Sequence, residues 1–113
     1  MLTIDALKEI GAQPEEGLKR CLDNEEFYLN LVKMVPSDAG FQNLQDALDR
    51  NDLDAAFEAA HALKGVLGNL SLTALREPVL EITELLRSRT EMDYTPLMTE
   101  ILEQRDILEK VCE

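Results

Sequence analysis

Apolar residues recur every three or four positions along almost the whole chain, and little interrupts them. Across 113 residues there are only four prolines and five glycines. A sheet of many short strands would need a period of two and frequent turn residues, so the pattern calls for helices. The core these helices share must be aliphatic, because 45% of residues are hydrophobic but only 4% are aromatic and none is Trp. A chain of this length suits one domain with one core, here expected to span residues 1–113.

Read along the chain, the spacing predicts a series of amphipathic helices. Leu2, Ile4, Leu7 and Ile10 form a short one ending near Gly11. Pro14 opens a second, carrying Leu18, Cys21 and Leu22. Asp23-Asn24-Glu25-Glu26 has capping-box spacing and starts a third, with Phe27, Leu29, Leu31, Val32 and Val35, which Pro36 stops. Ser37 can cap the next, which runs to about Arg50 with Phe41, Leu44, Ala47 and Leu48 on one face. Asn51-Asp52 is a turn and a fresh N-cap, after which a long helix extends from Leu53 to about Leu70. Ser71–Thr73 offers a break, and another helix follows to about Arg87, with Pro78 predicting either a kink or a late start. Beyond a polar loop, Thr95 can cap a last helix with Pro96 at its first position. Long amphipathic helices with short connections predict an all-α fold, an antiparallel four-helix bundle with short additional N-terminal helices. With one apolar face per helix, a monomer is the default expectation.

Charge narrows the partners. Eleven basic against 23 acidic residues give −12, which argues against nucleic acid and against anionic membrane surfaces. Cys21 and Cys112 form neither a CxxC pair nor a metal spacing and are expected as reduced thiols. No signal peptide and no stretch of membrane-span length is evident, so a cytoplasmic location is expected.

His61 is the single histidine, the one side chain type whose ordinary titration lies near neutrality. At about 100° per residue, Ala56, Ala59, Leu63, Leu67 and Leu70 fall on one side of its helix. His61, Lys64, Gly65 and Gly68 fall on the other, with Asp54, Phe57 and Glu58. His61 is thus expected to face solvent. Each mid-helix glycine costs about 1 kcal/mol relative to Ala. Gly65 and Gly68 either permit close helix packing or leave bare backbone for a protein that must approach His61. Lys64, one turn on, is either a solvated lysine or a cation that offsets the charge of a phosphoryl group on the ring. Phe57 is either covered by a neighbouring helix, its commoner fate, or left open as an apolar docking contact. An unprotonated imidazole nitrogen is a nucleophile that can take a phosphoryl group held by another protein and later return it. Exposure then matters more than a pocket.

The run His61-Ala62-Leu63-Lys64-Gly65, followed by Asn69-Leu70, resembles the histidine phosphotransfer (HPt) family. The segment Leu22-Asp23-Asn24-Glu25-Glu26-Phe27-Tyr28 with Leu31 is similar to an early helix of such domains, and Leu80-Glu81 to the helix that follows the histidine. Ser71 departs from the Gly that many members carry there. The resemblance implies a four-helix core and phosphoryl exchange between His61 and the aspartate of response-regulator receiver domains, fed by a sensor histidine kinase. It implies a phosphocarrier without its own ATP site, cofactor or metal, since the receiver supplies the magnesium. No Gly-rich nucleotide loop contradicts this.

Two other readings compete. A helical adaptor could bind receivers without phosphotransfer, although His61, Lys64 and Gly65 standing together argue against it. Glu58-Ala59-Ala60-His61 has the Glu-x-x-His step of di-iron bundles, but those need a second such motif and inward carboxylates.

Overall fold

The computed structural model describes every residue, Met1–Glu113, and contains no strand. Seven α-helices follow one another: α1 (Ile4–Glu9), α2 (Pro14–Arg20), α3 (Glu25–Met34), α4 (Ala39–Asp49), α5 (Leu53–Asn69), α6 (Thr73–Arg87) and α7 (Thr95–Cys112). A single 3₁₀ turn, Val35–Ser37, separates α3 from α4. The fold is all-α, a helical bundle. α4 packs on α5, α5 on α6 and α6 on α7, so sequence neighbours are spatial neighbours. Connections this short force consecutive helices to run antiparallel.

One hydrophobic cluster runs from Leu2 to Leu108. Phe41, Leu44 and Ala47 enter it from α4, Ala56, Ala60, Leu63 and Leu67 from α5, Val79, Ile82 and Leu86 from α6, and Met98, Ile101 and Leu108 from α7. On α5 the buried small residue is Ala60, and Ala59 lies at the edge of the core. α6 runs through Pro78 from Thr73, so there is no late start.

The N-terminal helices are anchored on the turn after α5. The Tyr28 hydroxyl donates to the Leu70 carbonyl at 2.7 Å, and Gln13 N donates to the Ser71 carbonyl at 2.9 Å. Arg20 donates to the Asn69 carbonyl at 3.2 Å and to Ser71 Oγ at 2.7 Å. Gly17 makes this junction possible, since a Cβ there would collide with the Tyr28 ring and stand 2.9 Å from the Leu70 carbonyl oxygen. Ser71 itself has a φ of 55°, a left-handed turn residue that reverses the chain into α6.

Several helix starts lie one residue from their expected places. Asn24, not Asp23, caps α3 by accepting from Phe27 N, and Asp38, not Ser37, caps α4 by accepting from Gly40 N. Asp52 caps α5 through Ala55 N. Thr95 is the first residue of α7, and Asp93 accepts from its N–H. Hydrogen bonding by Thr95, its hydroxyl first and its backbone N–H second, holds the Asp93 carboxyl below the usual carboxylate range. Leu22 departs further. α2 ends at Arg20, and Leu22 and Asp23 take φ of 56° and 59° to turn the chain, which leaves the Leu22 side chain 91% exposed. The third helix buries Tyr28 fully, whereas Phe27 is 52% exposed.

Candidate functional site

α5 is held at both ends before any site is formed on it. Asp52 satisfies an orphan N–H at its start, and Leu70, just past its end, accepts from buried Tyr28. Ala56, Ala60, Leu63 and Leu67 then seat its inner face in the core. The opposite face carries His61 into solvent. The imidazole lies 5.6 Å from the Phe57 ring, centroid to centroid, with the rings tilted by 39°.

Phe57 is half-buried, and what covers it is charge. Arg87, the last residue of α6, places its Cζ 5.1 Å from the Phe57 centroid, and Arg89 places its own at 5.0 Å. Such cation–π contacts contribute on the order of 0.5–1 kcal/mol each at exposed positions. Arg89 is fixed further by Asp54, whose carboxylate accepts from its Nε, and by donation to the Leu86 carbonyl at 2.7 Å. Its φ of 52° lets the chain turn back toward α5 at the end of α6. Arg87 is paired in turn with Glu84 at 3.2 Å, so two guanidinium groups, each with a carboxylate partner, are held over the ring that neighbours the imidazole.

The other flank of His61 is open. A Cβ built on Gly65 would meet nothing within 4 Å, so one turn beyond the imidazole the α5 backbone is bare. Lys64 is half-buried, lining a polar cleft of about 530 Å³ between α5, α6 and α2. Gly68 differs from its expected role as open backbone. Arg76 of α6 lies across it, with Nε 2.9 Å from where a Cβ would stand. The missing side chain at Gly68 serves packing within the protein, and it leaves Gly65 as the open step beside His61. No group of three or more His, Cys, Asp or Glu side chains is gathered to hold a metal ion.

Arg20, Arg76, Arg87 and Arg89 were not legible as site residues. They reach α5 from other elements, and Arg89 meets Asp54 across 35 positions of sequence. The one available signal was indirect: a helix that exposes a glycine pair needs something beside it, and an arginine is long enough to fill that space.

The model of the Hpt domain family matches residues 36–112, which holds the 3₁₀ turn almost entire, all of α4, α5 and α6, and α7. The chain belongs to the Hpt domain family. Hpt domains are phosphocarrier modules of phosphorelay signalling, where they work with response regulators and histidine kinases, so involvement in a phosphorelay follows for this chain. The Hpt match contains His61, Phe57, Lys64, Gly65 and Gly68, whereas α1, α2 and α3 stand outside it. Comparison with the curated proteins and with the solved structures gave no significant match. No helix is long and apolar enough to cross a membrane.

Proposed function

We propose that this Hpt domain accepts a phosphoryl group on His61 from the aspartate of one receiver domain, or from a histidine kinase, and donates it to another receiver. The carrying observation is an exposed imidazole beside the bare backbone of Gly65, with no side chain to obstruct an approaching protein. In the forward step the lone pair of a ring nitrogen forms an N–P bond as the O–P bond of the aspartyl phosphate breaks. The carboxylate leaves with that electron pair. In the reverse step a carboxylate oxygen attacks phosphorus and the imidazole departs. Lys64, one turn from His61 and in no salt bridge, brings positive charge toward the transferring oxygens, which lowers the cost of the anion in transit. Phe57, with its two guanidinium groups, supports the imidazole from the N-terminal side and forms part of the docking face. The carrier is read as a monomer of the cytoplasm and as one domain, the last supported by one core cluster spanning Leu2 to Leu108.

The test is phosphoryl transfer from a panel of phosphorylated receiver domains, with His61→Gln as control. An acid-labile, alkali-stable label is expected on the wild-type protein and absent from the variant, whose helical circular dichroism stays unchanged. A folded protein that acquires no label from active donors would overturn the reading.

A further inference from the structure

The cleft beside Lys64 holds more positive charge than it neutralises. Lys64 of α5, Arg76 of α6 and Arg20 of α2 all line it, and none of the three enters a salt bridge, although the chain has 23 carboxylate side chains. Glu16 and Glu77 also border the cleft without pairing to these cations, and Leu80 is its one apolar residue. Arg76 Nε is the only buried side-chain nitrogen or oxygen in the protein without a hydrogen-bond partner. That nitrogen is closed off against Gly68, so the guanidinium is fixed at the cleft wall with its charge offset by no carboxylate. Arg76 can lie there only because Gly68 has no side chain. Arg20 is pinned at the other wall by the Asn69 carbonyl and Ser71 Oγ, both engaging one nitrogen, Nη1.

We infer that this cleft is an oxyanion-binding subsite, taking a carboxylate or phosphate group within reach of Lys64 and in line with the docking approach to His61. A guanidinium held against the backbone, a second arginine and an ammonium give the cleft three cations against the two carboxylates of Glu16 and Glu77, none of them paired. Acceptor-only oxygens complement such a set, and charge-assisted hydrogen bonds of this kind are about twice as strong as neutral ones. Two sources supply that chemistry, free inorganic phosphate or an acidic side chain of the docked partner. The subsite is built from cleft geometry and does not require His61 to be phosphorylated.

The first arm titrates inorganic phosphate into nitrogen-15-labelled His61→Gln protein at constant ionic strength, with chloride as the matched control. Saturable shifts are expected at the Gly65, Gly68 and Asn69 amides and at the Arg76 side-chain Nε–H, weakened about tenfold by Arg20→Gln or by Arg76→Gln. The second arm measures the affinity of the same variants, with His61 intact, for a receiver domain. Thermal unfolding of both variants, followed by circular dichroism, separates lost binding from a folding defect, because Arg20 also anchors α2 on the turn after α5. Phosphate binding with receiver affinity unchanged assigns the subsite to free phosphate. A tenfold loss of receiver affinity assigns it to a partner carboxylate. No saturable shift together with unaltered receiver binding in both variants overturns the subsite, whatever the outcome for His61 labelling.

Discussion

Tyr28 shows how much one side chain can govern. It is fully buried and spends its hydroxyl on the Leu70 carbonyl, so the last turn of the histidine-bearing helix is completed by a residue 42 positions away. Burial pushes its phenol up to about 12, with the nearby Cys21 and Glu15 acting in the same direction. The sign of the consequence follows directly. The folded state prefers the neutral phenol, so this contribution is fully present below pH 10 and is lost as pH rises from 10 toward 12. Two pKa units correspond to roughly 3 kcal/mol. Denaturant unfolding of the wild-type protein should therefore show stability falling over that window. Tyr28→Phe should flatten the fall and should lose about 1–3 kcal/mol at neutral pH, because the Leu70 carbonyl is left unpaired. Equal alkaline profiles for the two proteins would show that Tyr28 ionises as freely folded as unfolded.

At the scale of the element, the two glycines of α5 separate into different functions. Gly65 faces open space while Gly68 faces Arg76. Gly65→Ala should stabilise the protein by up to about 1 kcal/mol through helix propensity alone. Gly65→Leu should keep the fold and block receiver docking, read as lost transfer at an unchanged melting temperature. Transfer at the wild-type rate by Gly65→Leu would remove Gly65 from the docking face. Much of this element was legible in the sequence. The Asp52 cap, the bounds of α5 to within a residue and the outward direction of His61 and Gly65 all follow from local signals, a capping residue and a 100° periodicity. The contents of Gly68's space were not legible, because an arginine on α6 fills it and no local rule places that side chain. The misplaced caps have a simpler cause. Asp23 stands beside Asn24 and Ser37 beside Asp38, and each neighbour is competent to cap, so only the backbone path decides between them. Leu22 was misread because two consecutive left-handed residues that are not glycine run against propensity, and tertiary packing of the α2–α3 turn imposes them.

Across the whole molecule, the bundle that resembles other Hpt domains is completed by helices outside the matched region. Leu7, Tyr28 and Val32 belong to the same core cluster as α4, α5, α6 and α7. Removing residues 1–35 would expose that surface, strip the hydroxyl from Leu70 and remove Arg20 from the cleft. The cut removes six buried core residues, Leu2, Leu7, Cys21, Tyr28, Val32 and Val35, and at roughly 2–5 kcal/mol for each large one the loss matches the total stability of a typical domain. Thermal unfolding followed by circular dichroism should show a broad, low-temperature transition for the truncated chain. A sharp transition at the wild-type temperature would mean that residues 36–112 suffice. The same arrangement gathers Lys64, Arg76, Arg87, Arg89 and Arg20 around α5 on a chain of charge −12. Of these, Lys64, Arg76 and Arg20 enter no salt bridge, so an approaching anionic group meets repulsion over most of the surface and unpaired positive charge along the cleft.

Arg20 belongs to α2, whereas His61 stands on α5. Chemistry and choice of partner can therefore vary independently. An edit at position 13, 16 or 20 changes the charge of the cleft wall while every residue of α5 stays as it is. On the inferred role of the cleft, redirecting the protein to a new regulator would begin on α2, with the histidine-bearing helix left untouched.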